Sequence, residues 1–165
     1  RPELVREGAD RFGSQCIVVS IDARARRDGG YEVYTRAGTR PTGLDPVETA
    51  LHMQAMGAGE ILLTSIDRDG TMQGYDIPLV RQAADALRIP LIACGGAGSV
   101  GHLAEAVYNG HAAAVAAGAF FLFYGPRRTV LITYPTDEEL RRAFRAEHVR
   151  SKDLAPVVER AQARL

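Results

Sequence analysis

Two rhythms of apolar and polar positions alternate along this chain. Short apolar runs mark strands, and apolar residues spaced three or four apart mark helices. Pro2 to Phe12 predicts a short helix with Leu4, Val5 and Ala9 inward and Gly13 as its stop. Ile17-Val18-Val19-Ser20-Ile21-Asp22 predicts a strand, and Gly29-Gly30 a turn into a half-exposed strand over Tyr31–Thr35. Asp45 reads as an N-cap, with Pro46 in the first turn of a helix that reaches Gly57. Ile61-Leu62-Leu63 opens the next strand. Asp76 caps a helix to about Leu87, and Pro90-Leu91-Ile92-Ala93 is a strand. Ser99 caps a helix that stops at Gly110, and Ala112–Ala117 is the last strand of the pattern.

After Gly118 the rhythm breaks. Val130-Leu131-Ile132-Thr133-Tyr134 predicts an extra strand. Thr136 and Glu139 have capping-box spacing and open a helix carrying Leu140, Ala143 and Phe144, and the tail from Ser151 is polar, with a helix as one reading of it. Repeated βα units imply a parallel sheet. Ser20-Ile21-Asp22 and Ser65-Ile66-Asp67 end their strands alike, and this echo favours a barrel over an open sheet. A (β/α)8 TIM barrel takes about 250 residues. The expected fold class is therefore α/β, the size of half a barrel with about four βα units. Residues 1–125 form that phosphate-binding half, and 126–165 a strand-helix extension and tail.

Composition changes this picture little. The 165 residues include 46% hydrophobic and 24% charged, which is ordinary for a globular domain. Twenty Lys plus Arg balance twenty Asp plus Glu, so no global basic surface argues for nucleic acid. The clusters Arg24, Arg26, Arg27 and Arg127, Arg128 leave local anion binding open. The longest apolar stretch, Ala112 to Tyr124, is too short to span a bilayer, so no membrane role is expected. Cys16 and Cys94 lie far apart, as reduced cytoplasmic thiols do, and the four histidines have no ligand spacing. No metal site and no cofactor are expected. The chain starts without Met and reads as if cut from something longer.

Candidate chemistry gathers at the strand ends, where α/β folds bind ligands. Ser65, Asp67 and Asp69 alternate, so a continued strand aims them at one face, and Gly70 lets the backbone turn. A solvated β-to-α turn explains the same residues. Asp22 and Asp67 are acid/base candidates, or else caps or ion-pair carboxylates beside the arginines. Cys94-Gly95-Gly96-Ala97-Gly98 joins a strand to a helix start, a combination suited to phosphate. Its glycine spacing matches neither a P-loop nor a dinucleotide fingerprint. Gly118 is a second bare-backbone position on the next strand. Cys94 reads as a small residue under a tight loop rather than a nucleophile.

Several of these segments closely resemble the cyclase subunit of imidazole glycerol phosphate synthase. They are Gly57 to Thr71 with Gly74-Tyr75-Asp76, Phe12-Gly13-Ser14-Gln15, Ser20-Ile21-Asp22-Ala23, Thr42-Gly43 and Gly95-Gly96-Ala97-Gly98. The resemblance covers roughly Arg1 to Gly118, the carboxy-terminal half of that barrel. It implies an enzyme of histidine biosynthesis that takes ammonia from a partner glutaminase subunit. Such a cyclase converts a phosphorylated small molecule, a ribulosyl-phosphate formimino intermediate, into imidazole glycerol phosphate and an aminoimidazole carboxamide ribotide. By the resemblance, Asp22 is one of two catalytic aspartates, and the other belongs to a first strand that this chain lacks. Asp69, Gly70, Gly95, Gly96, Gly98 and Gly118 match the phosphate-binding side, and Glu60 a charged residue at the ammonia entrance.

This chain has Cys94 and Gly118 where that family commonly has serines, and Arg36-Ala37-Gly38 lacks another. The ending from Phe120 to Pro135 looks like a cyclase-like paralogue group that relays ammonia for sugar amidation in surface-polysaccharide (O-antigen) synthesis. A third reading is a half-barrel fragment without turnover. Half a barrel exposes edge strands, here Ile17–Ile21 and Ala112–Ala117, so the isolated chain is expected to be a homo-oligomer or to pair with its missing half.

Overall fold

The computed structural model describes residues 1–125 and 127–162. Its scaffold is a six-stranded sheet with helices on one face. Helix α1 (Glu3–Phe12) and a short 3-10 turn (Ser14–Cys16) lead into β1 (Val18–Ala25). A hairpin follows, β2 (Tyr31–Thr35) and β3 (Arg40–Pro41), then α2 (Pro46–Ala55) and β4 (Glu60–Ser65). The βα rhythm continues through α3 (Ile77–Ala86), β5 (Leu91–Cys94), α4 (Val100–Tyr108) and β6 (Ala114–Ala116). The sheet order is β3-β2-β1-β4-β5-β6, with β1, β4, β5 and β6 mutually parallel. This is the expected half-barrel pattern of four parallel strands with helical crossovers.

Local chemistry sets the helix starts. Asp45 Oδ1 accepts from the N–H groups of Val47 and Glu48 at 2.8 and 3.0 Å. Asp76 caps α3 through Leu79, and Ser99 caps α4 through His102. Each cap satisfies an N–H that the helix cannot pair itself.

Side chains of the parallel strands divide between two faces. Ile21, Ala23, Ile61, Leu63, Leu91 and Ala93 turn toward the helices and are buried with Leu79, Ala83, Leu103 and Ala106. The opposite face, which lines the interior of a closed barrel, carries three layers set by the register. Val18 pairs with Glu60 at the bottom; Ser20, Leu62, Ile92 and Ala114 follow; Asp22, Thr64, Cys94 and Ala116 form the top. This inner face is open. Val18 is 51% exposed, whereas Ile61 on the helix side is fully buried. The run Ile61-Leu62-Leu63 is thus buried at alternate residues only.

Two sequence expectations need correction, and one open reading is decided. The strand at Ser65 does not continue: Arg68 and Asp69 donate their N–H groups back to Ser65 O, so 66–69 form a turn and Asp67 and Asp69 do not alternate on a strand face. The strand expected over Val130–Tyr134 shrinks to β8 (Thr129–Val130), paired with β7 (Phe123–Tyr124) in a separate two-stranded ladder after the short α5 (Ala119–Leu122). Beyond it Leu131 and Thr133 still donate to Leu122 O and Phe121 O, spaced two apart, but the segment pairs with no sheet strand. The polar tail is helical as far as it is described, within α6 (Asp137–Gln162).

The Thr136–Glu139 box forms as expected: Glu139 Oε2 accepts from Thr136 N–H at 2.8 Å, and Thr136 Oγ1 accepts from Glu139 N–H. Helix α6 then lies on α4. Tyr108 and Phe144 meet edge to face at 6.0 Å, and Asn109 donates to Glu147 at 2.8 Å.

Candidate functional site

The carboxyl ends of β1 and β4 carry a cavity of about 290 Å3 lined by Asp22, Ala37, Gly38, Thr64, Ile66 and Asp69. Asp22 arrives from the top layer of β1, directly across from Thr64. Asp69 arrives from the turn after β4. Its N–H donates to Ser65 O at 2.9 Å, which fixes its backbone while the side chain lines the cavity. The loop from β2 to β3 supplies Ala37 and Gly38. Arg36 and Ala37 both hold φ near 54° there, a left-handed conformation uncommon outside glycine. Two carboxylates facing one cavity are suited to proton transfer in opposite senses, provided their environments differ.

Asp67, the other acid/base candidate, is committed elsewhere. Its Oδ2 accepts from Ala25 N–H at 3.0 Å, and its Oδ1 lies 3.4 Å from Arg24 Nε. Asp67 therefore closes the top of β1, while Arg24 stacks over the Tyr34 ring at 4.8 Å. The structural role weighed for it in the sequence is the one seen.

The glycine loop adjoins this cavity. A Cβ on Gly95 would lie 2.8 Å from Ser65 O and 3.4 Å from Asp69 Cα. A Cβ on Gly96 would lie 2.2 Å from Gly74 O, and one on Gly98 2.0 Å from Met72 O. Gly74 N–H donates to Gly96 O at 2.7 Å. These glycines are required first by the packing of two βα loops against each other.

The N–H of Gly98, expected to face a phosphate, is already taken. It donates to His102 Nδ1 at 3.1 Å. Among the described residues, the N–H groups of Gly96 and Gly118 have no hydrogen-bond partner, and a Cβ on Gly118 would meet nothing within 4 Å. Free backbone donors of the loop region thus include those of Gly96 and Gly118, beside the start of α4 and the top of β6. Gly70 lies on the same rim at φ 72°, and its carbonyl accepts from the Arg128 guanidinium, which reaches across from the β7–β8 hairpin.

Cys94 sits between the two regions. Burial pushes its thiol above the usual range, contact with Thr64 opposes this, and the Asp69 and Asp22 carboxylates add to the rise. A thiol held protonated is a poor nucleophile. Tyr75 closes the space behind it: the ring is buried, its hydroxyl donates to Ala116 O at 2.9 Å, and burial raises its pKa.

Glu60 lies apart, half-buried on the inner face at the opposite end of β4 and without an ion-pair partner among the described residues. It lies four positions along the strand from Thr64, or about 13 Å. It belongs to the bottom of the sheet, as its place at the start of β4 dictates.

His102 was not singled out in the sequence, Arg128 was named only as part of a basic cluster, and Ala37–Gly38 only as a segment lacking a serine. A local signal existed for His102, which stands three residues after the N-cap Ser99, where a capping side chain reaches back. For Arg128 the basic pair with Arg127 was a signal of anion binding, but its contact with Gly70 spans 58 positions and had no local signal. Among the described residues, no group of three or more His, Cys, Asp or Glu could hold a metal ion, and no helix is long and apolar enough to cross a membrane.

A family model described as histidine biosynthesis protein matches residues 1–125. Imidazole glycerol phosphate synthase subunit HisF of Synechococcus sp. (strain CC9605) is 60% identical over 118 residues, which cover 69% of this chain and 46% of the relative. The chain spans less than half the length of that curated relative.

Proposed function

The chain belongs to the histidine biosynthesis protein family, and we propose that it supplies the carboxy-terminal half of a (β/α)8 cyclase of the imidazole glycerol phosphate synthase type. In this reading residues 1–125 are the half-barrel, and 126–165 are an appended unit whose α6 covers α4. The observation that carries it is the shared cavity of Asp22 and Asp69 at the carboxyl ends of the strands, with Gly95 of the glycine loop against Asp69 and with free N–H groups at Gly96 and Gly118.

The phosphate of a ribulosyl-phosphate formimino intermediate accepts from those two N–H groups, helped by the positive end of α4. Asp22 acts as general acid or base at the reacting centre. Glu60, at the amino end of the sheet, flanks the entry of ammonia delivered by a glutaminase subunit. The products are imidazole glycerol phosphate and an aminoimidazole carboxamide ribotide, and the setting is the cytoplasm.

A second reading, an ammonia-relay subunit for sugar amidation, draws on one observation. Strand β8 and α6 lie past the family-matched residues, yet Arg128, just before β8, reaches Gly70 on the site's rim. The assay separates the readings. The chain is combined with the amino-terminal half that completes the barrel, then given ammonium and the ribulosyl substrate. Formation of imidazole glycerol phosphate supports the cyclase; silence with an intact barrel supports the relay.

A further inference from the structure

The start of α4 is built on an unusual exchange. Ser99 Oγ accepts from His102 N–H at 3.2 Å, and His102 Nδ1 accepts from Gly98 N–H at 3.1 Å. This resembles a capping box, in which the side chain three residues into the helix reaches back to an unpaired backbone donor. The usual residue for that task is Glu or Gln. Here it is an imidazole. With Nδ1 accepting, the neutral ring carries its proton on Nε2. The ring also packs beside Gly74, whose Cβ position lies 3.8 Å from His102 Nε2, so it braces both halves of the interlocked loops.

Charge distinguishes the alternatives. A glutamate here would satisfy Gly98 equally well, but it would place a full negative charge at the helix end that is to receive an anion. Neutral imidazole satisfies the same donor without that charge.

We propose that His102 is a positioning residue for anion binding: it holds Gly98 N–H, fixes the Gly95–Gly98 loop and keeps the start of α4 free of negative charge, leaving Gly96 and Gly118 to bind phosphate. The proposal rests on the phosphate reading given above and assigns that site a residue outside the glycines. It also removes Gly98 from the set of phosphate donors.

The test is titration of the full chain with inorganic phosphate, followed by backbone amide shifts and imidazole nitrogen shifts, for the native sequence, His102→Gln and His102→Glu. Native Gly96 and Gly118 amides should move while Gly98 stays hydrogen-bonded to the neutral His102 ring. His102→Gln should bind phosphate within about twofold of the native chain. His102→Glu should melt no lower than His102→Gln in phosphate-free buffer, yet bind phosphate about tenfold more weakly, as expected for one like charge nearby. Equal affinity in the Gln and Glu variants overturns the proposal and leaves the phosphate site standing. So does a native Gly98 amide that leaves His102 on titration, a result independent of whether the variants fold. Native Gly96 and Gly118 amides that do not move at all remove the phosphate site itself, and this role with it.

Discussion

The Tyr31 hydroxyl donates to Asp76 Oδ1 at 2.8 Å, joining the β1–β2 hairpin to the N-cap of α3 across 45 positions of sequence. The same carboxylate accepts from Leu79 N–H at 3.3 Å, and its second oxygen lies 3.5 Å from Ser65 Oγ at the end of β4. One aspartate thereby ties the hairpin, a central strand and a helix start together beside the candidate site.

Removing that hydroxyl tests the tie. Tyr31→Phe leaves Asp76 with its helix contact and should cost about 1–2 kcal/mol in urea unfolding. The change should also show at high pH. Burial and the Asp76 carboxylate raise the Tyr31 pKa to about 12. A phenol whose folded pKa exceeds its unfolded value near 10 contributes stability below the unfolded value and loses it as pH rises from about 10 to 12. Tyr31→Phe should therefore unfold less steeply than the native chain across that window. An unchanged alkaline limb contradicts the assignment.

The strand ends separate a functional carboxylate from a structural one. Asp22→Asn in the completed barrel should lower turnover by at least about 100-fold, with little change in melting temperature. Asp67→Asn should do the reverse, because it weakens the contacts with Ala25 N–H and Arg24. Its expected effect is about 1 kcal/mol of stability and less than about a threefold change in turnover. Steady-state kinetics beside thermal unfolding of both variants checks the pair.

These two aspartates show where sequence reading works and where it stops. Asp22 was legible because it closes a regular strand, and strand periodicity places its side chain. Asp45, Asp76, Ser99 and Thr136 were legible because a cap is decided within four residues. Asp67 and Asp69 were not separable, because β4 ends where its pairing with β1 ends, at Ser65 opposite Ala23. That limit is set by a partner strand far away in sequence. Likewise the β-rich segment Val130–Tyr134 had the propensity of a strand, but only a short neighbour, Phe123–Tyr124, lay within reach to pair with it.

The glycines of the candidate phosphate region should divide by steric role. Gly96→Ala and Gly98→Ala drive a Cβ into the carbonyls of Gly74 and Met72, and Gly96 also holds φ at 110°. Each should cost about 3 kcal/mol or more by overpacking backbone that has little freedom to move. Gly118→Ala meets nothing within 4 Å and has φ of −109°, so it should change stability by less than about 0.5 kcal/mol. Denaturant melts of the three variants check this ordering; a Gly118→Ala variant as unstable as Gly96→Ala removes the distinction between packing and open positions.

Assembly follows from the inner face. Strand β2 pairs only with Asp22–Ala25 of β1, so Val18–Ile21 has no partner on that side. Strand β6 ends the sheet at the other side, and the β7–β8 ladder pairs with itself instead of covering it. Between these edges lie Val18, Leu62, Ile92 and Ala114, apolar side chains with no layer above them on the inner face. Exposed Leu122, Tyr124, Val130, Leu131, Ile132 and Tyr134 add apolar surface beyond β6. Soluble monomers rarely show contiguous apolar patches above a few hundred Å2, and open strand edges recruit partners. A closed barrel fills that space with side chains of its other strands. The isolated chain should therefore sediment at micromolar concentration as a dimer or larger species. Mixing it with the complementary amino-terminal half should convert it into a complex of the two. A folded monomer that binds no hydrophobic dye contradicts the argument, because its inner face would then have to be covered from within the chain.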